Sequence, residues 1–123
     1  MTRLAELDGL RRLRLSTVDP RDLHDDLIDA MATLPVGCPH LHLPLQSGSD
    51  SVLRRMKRGY TTAQFADCVA RLRSAMPNMG LTTDLMVAFP GETEKEFNES
   101  LAFARAMRFS GIHVFPFSPR PGT

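Results

Sequence analysis

The chain has 123 residues, a formal net charge of +1 and 42% hydrophobic residues. That length suits one ordinary domain with a packed core, and the near-neutral charge excludes a bulk electrostatic attraction to nucleic acid or membrane. No apolar run approaches the ~20 residues of a membrane span, and charges interrupt Met1 to Leu15 throughout, unlike a secretory leader, so a cytoplasmic protein is expected. Cys38 and Cys68 form no C-x-x-C motif and are expected to be free thiols.

Strand and helix patterns alternate along the chain. Leu13 to Thr17 reads as a first strand. A helix follows, with Asp19 as N-cap, Pro20 in the first position and Leu23, Leu27, Ile28, Met31 and Leu34 on one stripe, ended by Pro35 and Gly37. Leu41 to Gln46 is the second strand. It enters Gly48-Ser49-Asp50, where Ser49 caps a short helix with Val52, Leu53 and Met56 inward, stopped by Gly59. Thr61 or Thr62 caps the next helix, whose Phe65, Cys68, Val69, Leu72 and Met76 share a face; Pro77 and Gly80 break it. Leu81 to Phe89 is the third strand. After Pro90-Gly91, Thr93 and Glu96 form a capping box for a helix whose buried stripe is Phe97, Leu101, Ala104 and Met107. Ile112 to Ser118 is the fourth strand.

Strands joined by helices of this length predict an α/β fold with four parallel strands in sequential order. Each strand has two chemically different faces. Leu13 and Leu15 alternate with Arg12, Arg14 and Ser16, and Leu41, Leu43 and Leu45 alternate with His40, His42, Pro44 and Gln46. Leu85, Val87 and Phe89 alternate with Thr82, Asp84, Met86 and Ala88, and Ile112 and Val114 with His113 and Phe115. A sheet covered on both faces would be apolar throughout. Helices are therefore expected on the outer face only, with the polar face lining the lumen of a partial (β/α) barrel. Such barrels carry their chemistry at the C-terminal strand ends, here Ser16-Thr17, Gln46-Ser47, Phe89-Pro90 with Glu92, and Phe117-Ser118. Four units do not close a barrel, so residues 1–123 are expected to be a piece of a larger domain.

Three segments carry a resemblance: His42 to Asp50 followed by Val52-Leu53-Arg54-Arg55-Met56 and Arg58-Gly59-Tyr60-Thr61; Thr83 to Glu94; and Phe117 to Thr123. From about Leu13 to the last residue the chain resembles the radical S-adenosylmethionine methylthiotransferases. The resemblance implies an open six-stranded barrel, of which this chain supplies strands three to six. It also implies two [4Fe-4S] clusters, cleavage of S-adenosylmethionine, and transfer of a methylthio group to C2 of a modified adenosine beside the tRNA anticodon. The cluster-binding N-terminal parts and the C-terminal RNA-binding domain of the family lie outside this segment, and Cys38 and Cys68 cannot replace the cluster ligands. By itself the chain is expected to be inert and to self-associate through exposed sheet edges or the lumen face. It departs from the family at Ala88, where glycine is usual; the added methyl is expected to trim space in the lumen.

The resemblance places S-adenosylmethionine on Gln46, Ser47 and Ser49, on Asp84 and Glu92, and on backbone groups of Phe115, Pro116 and Phe117. Other roles stand beside these. Ser49 is equally a helix cap. Asp84 is equally an ion-pair partner for Arg14, and Glu92 suits the start of a helix on charge alone. His40, His42 and His113 read as lumen lining rather than metal ligands, and no catalytic side chain is assigned. Arg54, Arg55, Lys57 and Arg58 read as a solvated face that could also meet RNA phosphate or a cofactor carboxylate. Cys68 reads as a small buried hydrophobe. His113 to Ser118 resembles the branch acting on N6-threonylcarbamoyladenosine more than the branch acting on the isopentenyl base. The competing readings are a methylthiotransferase for a ribosomal protein and a non-catalytic α/β binding module.

Overall fold

Alternating leucines build the sheet. In the computed structural model, which describes residues 1–120, strands β1 (His40–His42), β2 (Gly80–Val87) and β3 (Gly111–Pro116) form one parallel sheet in the order β1-β2-β3. Helices α1 (Thr2–Ala5), α2 (Asp25–Thr33), α3 (Asp50–Arg55), α4 (Thr62–Ala75) and α5 (Glu94–Met107) complete the α/β architecture. Residues Pro121, Gly122 and Thr123 of the last motif lie outside the described residues.

Four strands are expected and three form. The segment Leu13 to Thr17 joins the sheet only through two isolated parallel bridges, Leu13 to Gly37 and Thr17 to His42. Pro39 lies between the two points of attachment and has no N–H to donate. The backbone bonds are accordingly confined to the ends, Cys38 N–H to the Leu13 carbonyl at 2.9 Å and His42 N–H to the Ser16 carbonyl at 3.3 Å.

A second proline shapes β1. His42 pairs with Thr82, but Gln46 pairs with Leu85. Four steps on one side thus match three on the other, as in a β-bulge. Pro44 sits inside that extra length. The fully buried Thr83 repairs the ladder: its hydroxyl donates to the Leu43 carbonyl at 2.7 Å and accepts the Leu45 N–H at 2.9 Å. Tyr60 closes the other side, its hydroxyl lying 3.0 Å from both the Pro44 and Leu45 carbonyls.

The apolar parity is as expected on β1 and β2 but not on β3, where Ile112 and Val114, expected under a helix, are exposed because α5 does not cover that edge strand's face. Leu41, Leu43, Leu45, Leu81 and Leu85 are buried and share one cluster with Phe65, Val69 and Leu72 of α4 and Ile28 and Met31 of α2. Asp19 and Pro20 open a helical turn as expected, but it is a 3-10 turn (Pro20–Asp22) separate from α2. Thr61 with Gln64 and Thr93 with Glu96 form capping boxes on α4 and α5.

The α5 stripe is rotated from expectation. Phe97 and Leu101 are 43% and 38% exposed, while Ser100 and Ala104 are buried. Gly48 explains the rotation. A Cβ there would lie 2.8 Å from the Ser100 Cα and the Phe103 Cβ, so the loop presses on the helix where its side chain is small. Leu101 and Phe97 are displaced outward, on the same molecule whose β3 exposes Ile112 and Val114.

Ala88 is exposed and has φ of +56°, so its methyl bears on the backbone conformation rather than, as expected, on lumen volume. A left-handed alanine is strained where glycine is not. Two outcomes are expected from denaturant titration of the chain. Thr83→Val, which keeps the shape but strands a buried N–H and a carbonyl, should destabilise by about 2–3 kcal/mol. Ala88→Gly should stabilise by roughly 0.5–1 kcal/mol, the left-handed strain less the entropy of the added glycine.

Candidate functional site

After the bulge Gln46 rejoins the ladder opposite Leu85, but with a left-handed backbone, φ of +65°. Its backbone is anchored on both sides, N–H to the Asp84 carbonyl and carbonyl to the Met86 N–H, each at 2.9 Å. Its side chain, on a residue only 8% exposed, makes no hydrogen bond among the described residues. A non-glycine residue held in this region of φ and ψ is a common sign of function.

Ser47 and Ser49 do something different from what the sequence suggests. Both are buried and face α5. The Ser47 hydroxyl lies 2.9 Å from the Ser100 hydroxyl, which also accepts the Gly48 N–H at 3.0 Å. The Ser49 hydroxyl donates to Glu99 Oε2 at 2.6 Å. Ser49 occupies the N-cap position of α3 but makes no cap bond; its hydroxyl is turned to Glu99 and to the Ser51 hydroxyl, 3.0 Å away. These bonds fasten the loop to a helix.

Glu92 folds back on its own loop, Oε2 accepting the Phe89 N–H at 3.2 Å. Phe89 and Phe117 meet edge to face, 5.6 Å between centroids. They line a cavity of about 570 Å³ with Met56 and Met86, and Lys57 and Arg58 border it. Gln46 is bonded to Met86, so the bulge sits beside this cavity. Phe117 is held by its N–H to the Val87 carbonyl at 2.8 Å. Phe115 instead stacks on His113 at 5.4 Å, and Pro116 is exposed opposite Val87. Flat apolar walls beside two cations suit a molecule that joins an aromatic ring to an anionic group.

Asp84 lies lower on the same face. Its Oδ2 meets His42 Nε2 at 3.2 Å and its Oδ1 meets His113 Nδ1 at 3.4 Å. The expected Arg14 pair is not made. Arg14 reaches the His40 ring instead, at 2.9 Å, because β1 stands between it and β2. Burial and the Arg14 charge, with a smaller share from His42, hold His40 below the usual imidazole range.

The basic run divides. Arg55 donates to Glu96 Oε1 and Oε2 at 2.7 and 3.0 Å, whereas Lys57 and Arg58 are exposed at the cavity. Arg55, the Ser51 hydroxyl and the Thr93 N–H hold the Glu96 carboxyl far below the usual carboxylate range. Burial pushes the Tyr60 hydroxyl up to about 12, so it stays a neutral donor. Cys68 is buried in α4 with its thiol on the Pro20 carbonyl at 3.5 Å. Among the described residues no group of three His, Cys, Asp or Glu side chains could hold a metal ion, and no helix is long and apolar enough to cross a membrane. An iron–sulfur cluster does not fit the cysteines present here.

Thr83, Tyr60, Glu99 and Ser100 are the residues that sequence patterning missed. Only Ser100 left a signal, a polar residue four places from Glu96 on the same side of an amphipathic helix.

A family profile described as the Radical SAM superfamily matches residues 1–104. The tRNA-2-methylthio-N(6)-dimethylallyladenosine synthase of Frankia casuarinae is 55% identical over 117 residues, which are 95% of this chain and 22% of that protein. The protein of the same name from Syntrophotalea carbinolica is 47% identical over 123 residues, 100% of this chain and 28% of that protein. The chain thus spans about a quarter of the length of these relatives. Their names carry the dimethylallyl base, and the threonylcarbamoyl expectation finds no support in them. In fold, coproporphyrinogen III oxidase from Escherichia coli, itself a radical SAM enzyme, superposes with a TM-score of 0.74 at 20% identity, over 89% of this chain and 24% of that one. Matched by the family profile over most of its length, this chain belongs to the Radical SAM superfamily.

Proposed function

We propose that the chain is a segment of the catalytic barrel of a tRNA methylthiotransferase, contributing strands three to six of an open six-stranded barrel. The observation that carries this reading is Gln46, held left-handed at the C-terminal end of the sheet with its side-chain amide unbonded among the described residues and its backbone carbonyl on Met86, which lines the cavity. The site fits S-adenosylmethionine in its chemistry. The Phe89 and Phe117 rings suit an adenine, the Gln46 amide can both donate and accept, and Lys57 and Arg58 suit a carboxylate. Glu92 supports the pocket through the Phe89 N–H rather than by reaching into it. Bound there, S-adenosylmethionine supplies a reducible sulfonium. The clusters that the family requires come from other parts of the protein.

The substrate we propose is the N6-dimethylallyladenosine of tRNA, on the strength of relatives that are 47–55% identical. In isolation the chain bares the β3 edge, with Ile112 and Val114, and we propose that it self-associates there.

Calorimetry on the longer protein carrying this segment tests the cofactor. Gln46→Ala should weaken S-adenosylmethionine by about 1.5–3 kcal/mol, roughly tenfold or more, and Cys68→Ala should leave it unchanged; the reverse ranking would overturn the site. Nucleoside chromatography of tRNA from a strain lacking the gene tests the substrate. The methylthiolated dimethylallyl nucleoside should vanish, and loss of the threonylcarbamoyl derivative instead would refute that choice.

A further inference from the structure

Two loops frame the cavity, and one side chain ties them together. The first is the segment from Gln46 into α3. The second is the β2–α5 loop, which carries Glu92. Arg55, the last residue of α3, donates to both Glu96 oxygens in the first turn of α5. Its Nη2 also donates to the Gly91 carbonyl at 3.3 Å. Ser51 adds a bond from the first segment, its hydroxyl to Glu96 Oε1 at 2.6 Å. The Glu96 side chain is only 12% exposed and the Arg55 side chain 37%.

Partly exposed ion pairs contribute little to stability. The value of this one lies in its shape. A guanidinium is a rigid fork that can hold a carboxylate and a carbonyl in one plane, which an ammonium cannot do. Glu96 is fixed in turn by its capping bonds to Thr93, so the fork rests on the end of a helix rather than on a mobile side chain.

We propose that Arg55 is a positioning residue for the cavity: clamped on Glu96 and the Gly91 carbonyl, it sets the spacing between the Gln46 segment and the Glu92 loop. The inference rests on the reading of those two segments as the cofactor's walls. Arg55 itself does not touch the ligand in this account. It does border the cavity, so direct contact with a bound anion is the rival that the test must separate.

Arg55→Ala, Arg55→Lys, Glu96→Gln and the double variant Arg55→Ala with Glu96→Gln serve the test. Glutamine suits the third position of a capping box, so α5 keeps its start. The first measurement needs no ligand. Amide hydrogen exchange on the chain itself should quicken at Glu92 by about tenfold in each variant, the scale of one lost charge-assisted bond, with the β2 amide of Leu85 within about twofold. Uniform quickening everywhere, or none at Glu92, would overturn the clamp. The second is S-adenosylmethionine affinity in the longer protein. It should fall by about fivefold in Arg55→Ala, in Arg55→Lys and in Glu96→Gln, and no further in the double variant, the signature of residues acting as one unit. Loss in Arg55→Ala with none in Glu96→Gln would mean that Arg55 meets the ligand directly and would overturn the proposal. Quickened exchange at Glu92 in a parent protein that binds no S-adenosylmethionine would leave the clamp standing and remove the cofactor reading alone.

Discussion

The Thr83 hydroxyl is the small group on which the rest of this structure depends. A parallel sheet wants an unbroken ladder, and Pro44 removes a donor from its middle. Water cannot reach the site to compensate, because Leu43, Leu45 and Thr83 are almost wholly buried. One hydroxyl accepts an N–H and donates to a carbonyl, doing what two backbone groups would have done. The strand can therefore hold one residue too many without unpaired polar groups. That surplus is what swings Gln46 into the left-handed region at the strand end. Regular pairing would have left it with extended backbone.

Helix α5 carries the other half of the arrangement. Its buried side offers Ser100 to Ser47 and Gly48, and its flank offers Glu96 and Glu99 to Ser51, Arg55 and Ser49. The loop that looks like ligand-binding chemistry is spent largely on this seam. Of its polar side chains, Gln46 remains without a partner among the described residues. The polar layer lower on the sheet is similarly self-contained, with Asp84 shared between His42 and His113.

Much of this was legible from the residues alone. Period-two alternation assigned the buried face correctly at Leu41, Leu43, Leu45 and Leu85, since that signal is local and repeated, but not at Ile112 and Val114, whose exposure depends on what covers the edge strand. The capping box at Thr93, and Thr61 as one of two candidate caps for α4, followed from short-range hydrogen-bond chemistry. The first strand was not legible, because Pro39 lies on its neighbour rather than in it, and pairing depends on both partners. Nor was the turn of α5, where the apolar stripe through Phe97 and Leu101 competes with one through Ser100 and Ala104; a close approach by Gly48, 52 residues from Ser100 in sequence, decides between them. At the site, the sequence showed which residues gather at the strand end but not which way each hydroxyl points. Ser47 and Ser49 have partners on a distant helix, and no pattern within their own segment announces it.

Tyr60 is the chain's single tyrosine, and there is no tryptophan. Its hydroxyl rests on the carbonyls of Pro44 and Leu45, inside the bulge. The near-ultraviolet absorbance and emission of this polypeptide therefore originate, apart from the weak phenylalanine contribution, in one ring seated at the one irregular point of the sheet. The molecule carries its own optical gauge of that point, free of background from any other indole or phenol.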